Sequence, residues 1–186
     1  MTPIALMKTS TYPASNKPKL LFDTCIISAI YNKQHSSLLS FIEYIEKTYF
    51  HFINKYIYLE FIRIARNKNE KNNIETFFEN EFSILENPPD LFSNCKEIYP
   101  LYSRFNLGKS QISIVDLINL TYLSLYEDLY LITFDHKDYP IQLLDRIEIG
   151  HLDLTTEIQT WAIYKFNKKK FLQEYTRFQS PISTKI

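Results

Sequence analysis

The sequence predicts an α/β layered fold with a central, mainly parallel sheet, and three observations carry that prediction. Leu20–Phe22 and Leu129–Thr133 are short unbroken apolar runs. Such runs are the pattern of strands covered on both faces, as in parallel sheets. Segments of helical spacing lie between and around them, which is the alternation expected of layered α/β domains. The chain has 186 residues, 45% of them hydrophobic, which suits one domain with a sizeable core.

Taken in order, residues 1–18 hold Pro3, Pro13 and Pro18 among Ser, Thr and Asn and predict an extended N-terminal arm. Leu20–Phe22 is a strand, followed by a helix through Cys25–Tyr31. Leu38, Leu39, Ile42 and Ile45 give 36–47 a helical stripe with Glu43 and Glu46 outward. Tyr49–Ile53 alternates as a strand, and a helix then runs through Glu60 to about Arg66. Asn67–Asn73 is a polar break, Ile74–Phe82 is helical, and Pro88-Pro89-Asp90 stops what precedes it. Leu91–Phe105 is helical, with Pro100 as a point of interruption. Ser113 starts the next helix as its cap, with Asp116 in the first turn, and the helix continues through Tyr126 to the strand Leu129–Thr133. Arg146–Leu154 alternates imperfectly, as an edge strand does. Trp161, Tyr164, Phe171, Leu172 and Tyr175 predict one long amphipathic helix over 156–178, the core of a C-terminal segment 156–186 packed on the same domain. No internal repeat is present.

Composition excludes several classes. With 2 glycines, Gly108 and Gly150, no Gly-rich phosphate loop exists. The histidines His35, His51, His136 and His151 lack zinc spacing. Cys25 and Cys95 are too few for a disulfide framework, which points to a reducing cytoplasm. The segment Met1–Lys8 lacks the pattern of a signal peptide, and no segment reads as a membrane span. Lys and Arg number 21 against 21 Asp and Glu, so any contact with nucleic acid relies on local and not net positive charge. Arg63, Arg66 and Lys109 lie near the acids in sequence and are the candidates for phosphate contact. Lys165, Lys168, Lys169, Lys170 and Arg177 read first as the solvated face of the last helix.

Four acids stand where apolar surroundings ought to reject them: Asp23, Glu60, Asp116 and Asp135. Burying an ionised carboxylate costs several kcal/mol unless a cation or hydrogen bonds offset it. Asp23 and Asp135 each follow a predicted strand, so in a parallel sheet both face the crevice where ligands bind. Glu60 and Asp116 on flanking helices can reach the same place. A divalent cation is the simplest group that makes such a cluster tolerable. Each acid also has a plainer role: Asp23 and Asp116 as helix caps, Glu60 as a partner of Arg63, and Asp135 and Asp138 as turn residues. Cys25 reads as a small buried residue and not a nucleophile.

In this setting the sequence resembles the PIN-domain family. Leu20-Leu-Phe-Asp23-Thr24-Cys-Ile-Ile-Ser-Ala looks like the opening strand and turn of those domains. Tyr58-Leu-Glu60-Phe-Ile resembles their second acidic site, and Ser113-Ile-Val-Asp116-Leu-Ile their third. Leu131-Ile-Thr133-Phe-Asp135-His-Lys-Asp138-Tyr139 is similar to their last motif, a Thr-x-Asp followed by a second Asp and an aromatic. The motifs occur in the family's order over roughly 20 to 155. The resemblance implies a PIN-like three-layer α/β/α sandwich with the nuclease domain over 19–155. It also implies a metal-dependent endoribonuclease similar to the VapC-like toxins of type II toxin–antitoxin pairs. By that analogy Asp23, Glu60, Asp116 and Asp135 bind Mg²⁺ or Mn²⁺, and Asp138 supports them or ligates a second ion. Thr24, Ser113 and Thr133 would orient those carboxylates. Water would attack phosphorus, leaving a 5′-phosphate and a 3′-hydroxyl on the RNA substrate. The implied partner is an antitoxin protein; the helix at 36–47 and the last helix offer apolar surface for it or for a homodimer, and no membrane contact is expected.

Other hydrolase families fit less well. A haloacid-dehalogenase-like phosphatase needs Asp-x-Asp, and position 25 is Cys. A receiver domain needs an early acidic pair and a late Lys, and neither is evident. A structure-specific DNA nuclease related to PIN domains carries more acids and a basic clamp. The alternative of another class is a PIN-like binding or scaffold module with little or no nuclease activity.

Overall fold

Strand β1 (Lys19–Phe22) lies inside a six-stranded sheet, with Leu20, Leu21 and Phe22 buried. The computed structural model describes residues 17–32, 36–106, 113–154 and 157–180. The elements that follow are α1 (Thr24–Tyr31), α2 (Ser36–Thr48), β2 (Phe50–Asn54), α3 (Lys55–Ile62), α4 (Lys68–Glu81) and β3 (Ser83–Leu85). Then come α5 (Leu91–Phe105), α6 (Ile114–Leu125), β4 (Leu129–Thr133), β5 (Leu144–Asp153), β6 (Ile158–Phe166) and α7 (Lys168–Gln179). The sheet order is β3-β2-β1-β4-β6-β5. β1 pairs in parallel with β2 and β4, and β2 with β3, whereas β6 runs antiparallel to β4 and β5. The sheet is therefore mixed and mostly parallel, and with seven helices among the described residues the layering is compatible with a three-layer sandwich. Among those residues no helix is long and apolar enough to cross a membrane.

Capping explains most helix starts. Asp23, Asn54, Asn67, Ser113 and Asn167 each accept a backbone N–H in the first turn of the helix that follows, offsetting donors that a helix end leaves unpaired. Helix α6 is buried at every position from Asp116 to Leu125. Two of its buried hydroxyls are satisfied within the helix: Thr121 donates to Leu117 O at 2.8 Å and Ser124 to Thr121 O at 2.7 Å.

Three sequence-based expectations change. The single helix over 156–178 is two elements, β6 and α7, with Asn167 capping α7 through Lys170 N at 2.9 Å. Trp161, Ala162, Ile163 and Tyr164 are buried consecutively, which requires cover on both faces and not one helical stripe; such β-branched and aromatic residues suit a strand. The polar stretch Asn67–Asn73 is helical, because Asn67 accepts Glu70 N at 2.9 Å while the Glu70 carboxylate accepts Arg66 N at 2.7 Å. Helix α5 continues through Pro100, its missing hydrogen bond offset by burial of Cys95, Ile98, Leu101 and Tyr102. Strand β3 was not evident in the sequence, and the expected arm lies outside the described residues except for Lys17 and Pro18. The edge-strand expectation agrees with β5.

Gly150 is the residue on β5 that lies opposite Trp161 on β6. A Cβ there would stand 2.6 Å from Trp161 Cε2 and 2.9 Å from its Nε1, so glycine lets the indole lie flat on the strand beside Phe41 and Tyr44. Gly150→Ala should displace the ring and lower stability by roughly 1–3 kcal/mol. Trp161 is the sole tryptophan, so urea unfolding followed by its emission reads both outcomes: a red-shifted native spectrum and an earlier midpoint.

Candidate functional site

The strand order reverses direction at β1, with β2 on one side and β4 on the other, and such a switch point opens a crevice beyond the strands' carboxyl ends. Asp23 stands at that edge, its N–H donating to Ile132 O at 3.1 Å. Its Oδ1 accepts Thr24 N at 2.8 Å, and its Oδ2 accepts the Thr133 hydroxyl at 2.6 Å and the Cys25 thiol at 3.6 Å. Capping and site placement, separate readings of the sequence, thus coincide in one carboxylate. Thr133 Oγ1 also accepts Asp135 N at 2.8 Å, which ties the turn after β4 to the end of β1.

Helix α3 brings Glu60 to the same edge, where its Oε2 accepts the Thr24 hydroxyl at 2.6 Å. The plainer alternative, a Glu60–Arg63 pair, does not form: Arg63 is the exposed C-cap of α3, and neither it nor the exposed Arg66 makes an ion pair among the described residues. Lys109 lies outside the described residues. Asp116 enters from the first turn of α6, its N–H donating to Ser113 Oγ at 3.2 Å. The Tyr139 hydroxyl donates to Asp116 Oδ1 at 3.3 Å and accepts Asn119 Nδ2 at 2.9 Å. Asp135 is exposed and Asp138 half-buried in the turn between β4 and β5.

The acids sense one another. Burial chiefly, and then the charges of Asp23 and Asp138, push the Asp116 carboxyl up to about 8. Asp23 is also raised, by burial and, less, by Glu60, against the pull of hydrogen bonds from Thr133, Thr24 and Cys25. Tyr102 is raised by burial and then, less, by the charges of Asp116, Asp138, Asp23 and Asp135. Neither Asp23 nor Asp116, both under a tenth exposed, has a cationic partner among the described residues. Their donors are hydroxyls, a thiol and amides. Cys25 is pushed up to about 12 by burial and then by Asp23, so it is a protonated donor and not a thiolate nucleophile.

An all-oxygen, anionic donor set suits a hard cation. Among the described residues no three His, Cys, Asp or Glu side chains stand close enough together to hold one between them. A groove of about 580 Å³ opens beside Asp135, lined by Cys25, Ser28, Phe134, His136, Lys137 and Gln159. Sequence reasoning missed Asn54, Asn119 and Tyr102, although Asn54 and Asn119 interrupt apolar runs in the same way as the acids do. Comparison with known proteins found no matching family model, curated protein or solved structure.

Folded Asp116 keeps its proton up to about pH 8, whereas its ordinary value is 3.8. Between these values unfolding releases a proton, so raising the pH favours the unfolded chain. For metal-free protein this group's contribution to stability is complete below its ordinary value of 3.8 and is lost as the pH rises through about 8, costing several degrees of melting temperature by pH 8.5. Asp116→Asn should flatten that slope and raise the melting temperature at pH 8.5; scanning calorimetry across pH checks both.

Proposed function

We propose that the protein is a PIN-like, metal-dependent endoribonuclease acting as the toxin of a type II toxin–antitoxin pair. The observation that carries this reading is that Thr24 and Thr133 tie Asp23, Glu60 and Asp135 together at the ends of β1 and β4, while buried Asp116 feels the charges of Asp23 and Asp138 and neither Asp23 nor Asp116 has a cationic partner among the described residues. The order and setting of the acidic motifs, each at a strand end or on a flanking helix, support the family assignment. Mg²⁺ or Mn²⁺ would be held by Asp23, Glu60, Asp116 and Asp135, directly or through water, with Asp138 assisting. Bound there, the ion supplies positive charge to the scissile phosphate and lowers the pKa of water. The chain's own groups do the rest: Thr24 and Thr133 fix Glu60 and Asp23 through 2.6 Å hydrogen bonds, and Ser113 fixes the start of α6.

RNA would lie along the groove beside Asp135, whose lining offers Phe134 and His136 for base contact and Lys137 for phosphate. Arg63 and Arg66, exposed just after α3, are further candidates for phosphate contact. An antitoxin would block the acids with an Arg or Lys of its own. Leu39 and Tyr44 on α2 and Leu172 and Phe178 on α7 are exposed apolar residues available to it or to a second copy.

One observation favours a second reading, a PIN-like binding module without cleavage: no three ligating side chains stand within reach of one ion among the described residues. An RNA cleavage assay separates the two. The nuclease should cut RNA with Mg²⁺ or Mn²⁺ and stop in excess chelator. Asp23→Asn and Asp116→Asn should each lower the rate at least about 100-fold, in line with loss of electrostatic stabilisation, without lowering the melting temperature. Cleavage that survives chelator or both substitutions contradicts the nuclease reading.

A further inference from the structure

We infer that Asn54, Asn119 and Tyr139 form one directional hydrogen-bond relay that aims Asp116 from the N-terminus of α3, making Tyr139 and Asn119 positioning residues for the acidic site. The inference deepens the metal-dependent reading above and rests on it. Its starting point is a constraint on amide orientation. Asn54 Oδ1 accepts both Tyr56 N and Ile57 N at 2.9 Å, and only an oxygen can accept from two backbone donors. The Asn54 amide nitrogen must therefore be the atom facing Asn119, where it donates to Oδ1 at 2.6 Å. That fixes Asn119 in turn, since its oxygen is engaged and its nitrogen meets the Tyr139 hydroxyl at 2.9 Å. Having accepted that bond, the hydroxyl directs its own proton to Asp116 Oδ1 at 3.3 Å.

The whole line is dry: Asn54 and Asn119 are 0% exposed, Tyr139 1% and Asp116 8%. Aligned donors of this kind polarise one another in a low-dielectric interior. The relay also joins elements that each bear an acid. Asn54 caps α3, which carries Glu60; Asn119 lies on α6, three residues after Asp116; Tyr139 follows Asp138. A shift of any one is felt by the others. Phenylalanine at 139 would keep the ring's packing but end the relay one atom short of the carboxylate.

Calorimetric titration of the full chain with Mn²⁺ tests this, with the melting temperature measured in parallel. Tyr139→Phe should weaken Mn²⁺ binding about tenfold, the scale of one lost hydrogen bond to a charged group. Asn54→Ser keeps a helix cap but removes the amide donor, and should weaken binding at least about threefold from a position buried behind the acids. As members of one unit the two changes should combine less than additively. A loss of stability alone would leave the affinity of the folded variants unchanged. Full affinity in both folded variants, or effects that multiply, overturns the relay with the metal reading intact. A wild type that takes up no Mn²⁺ overturns the metal reading and the relay's role together.

Discussion

Carboxyl groups buried beside the carboxyl end of β1 are the constraint on which the rest of this structure depends. Asp23 closes β1 and Asp116 opens α6, both buried, and the charge of each raises the cost of ionising its neighbours. Among the described residues the groups that hydrogen-bond to them are neutral: the Thr133, Ser113 and Tyr139 hydroxyls, the Cys25 thiol and the backbone amides. Neutral donors moderate such a field but do not cancel it. Burial opposes the ionisation of both acids, and on the proposed reading a bound cation offsets that cost.

The same hydroxyls also assemble the fold. Thr133 accepts the amide of Asp135 while donating to Asp23, so the register between β1 and β4 sets the distance between two acids. Thr24 opens α1 yet bonds to Glu60 on α3, which packs against α1. Asn54 starts α3 and reaches α6 through Asn119. Helix placement and carboxylate placement are therefore not separable in this molecule.

Much of this was legible along the chain. The apolar strands β1 and β4, and a charge at the end of each, need only local patterning, and Ser113 announced α6 through its spacing to Asp116. What failed did so for nonlocal reasons. Trp161 and Tyr164 fit helical spacing as well as strand alternation, and only pairing with β4 and β5 decides between them. Asn67 and Glu70 hold a capping signal that the polar run around them concealed. Asn54 and Asn119 are 65 residues apart and meet at 2.6 Å, a contact no spacing rule predicts. The Glu60–Arg63 pair, favourable by sequence distance, loses to Thr24 because Arg63 turns outward at the end of α3.

The central claim is that this cluster exists to hold a divalent cation. Anomalous diffraction at the manganese edge from crystals soaked in Mn²⁺ tests it most directly. The account predicts a peak bounded by Asp23, Asp116 and the 135–138 turn, with waters completing its shell. An ordered site with no peak there, or manganese found only on surface carboxylates elsewhere, would contradict it.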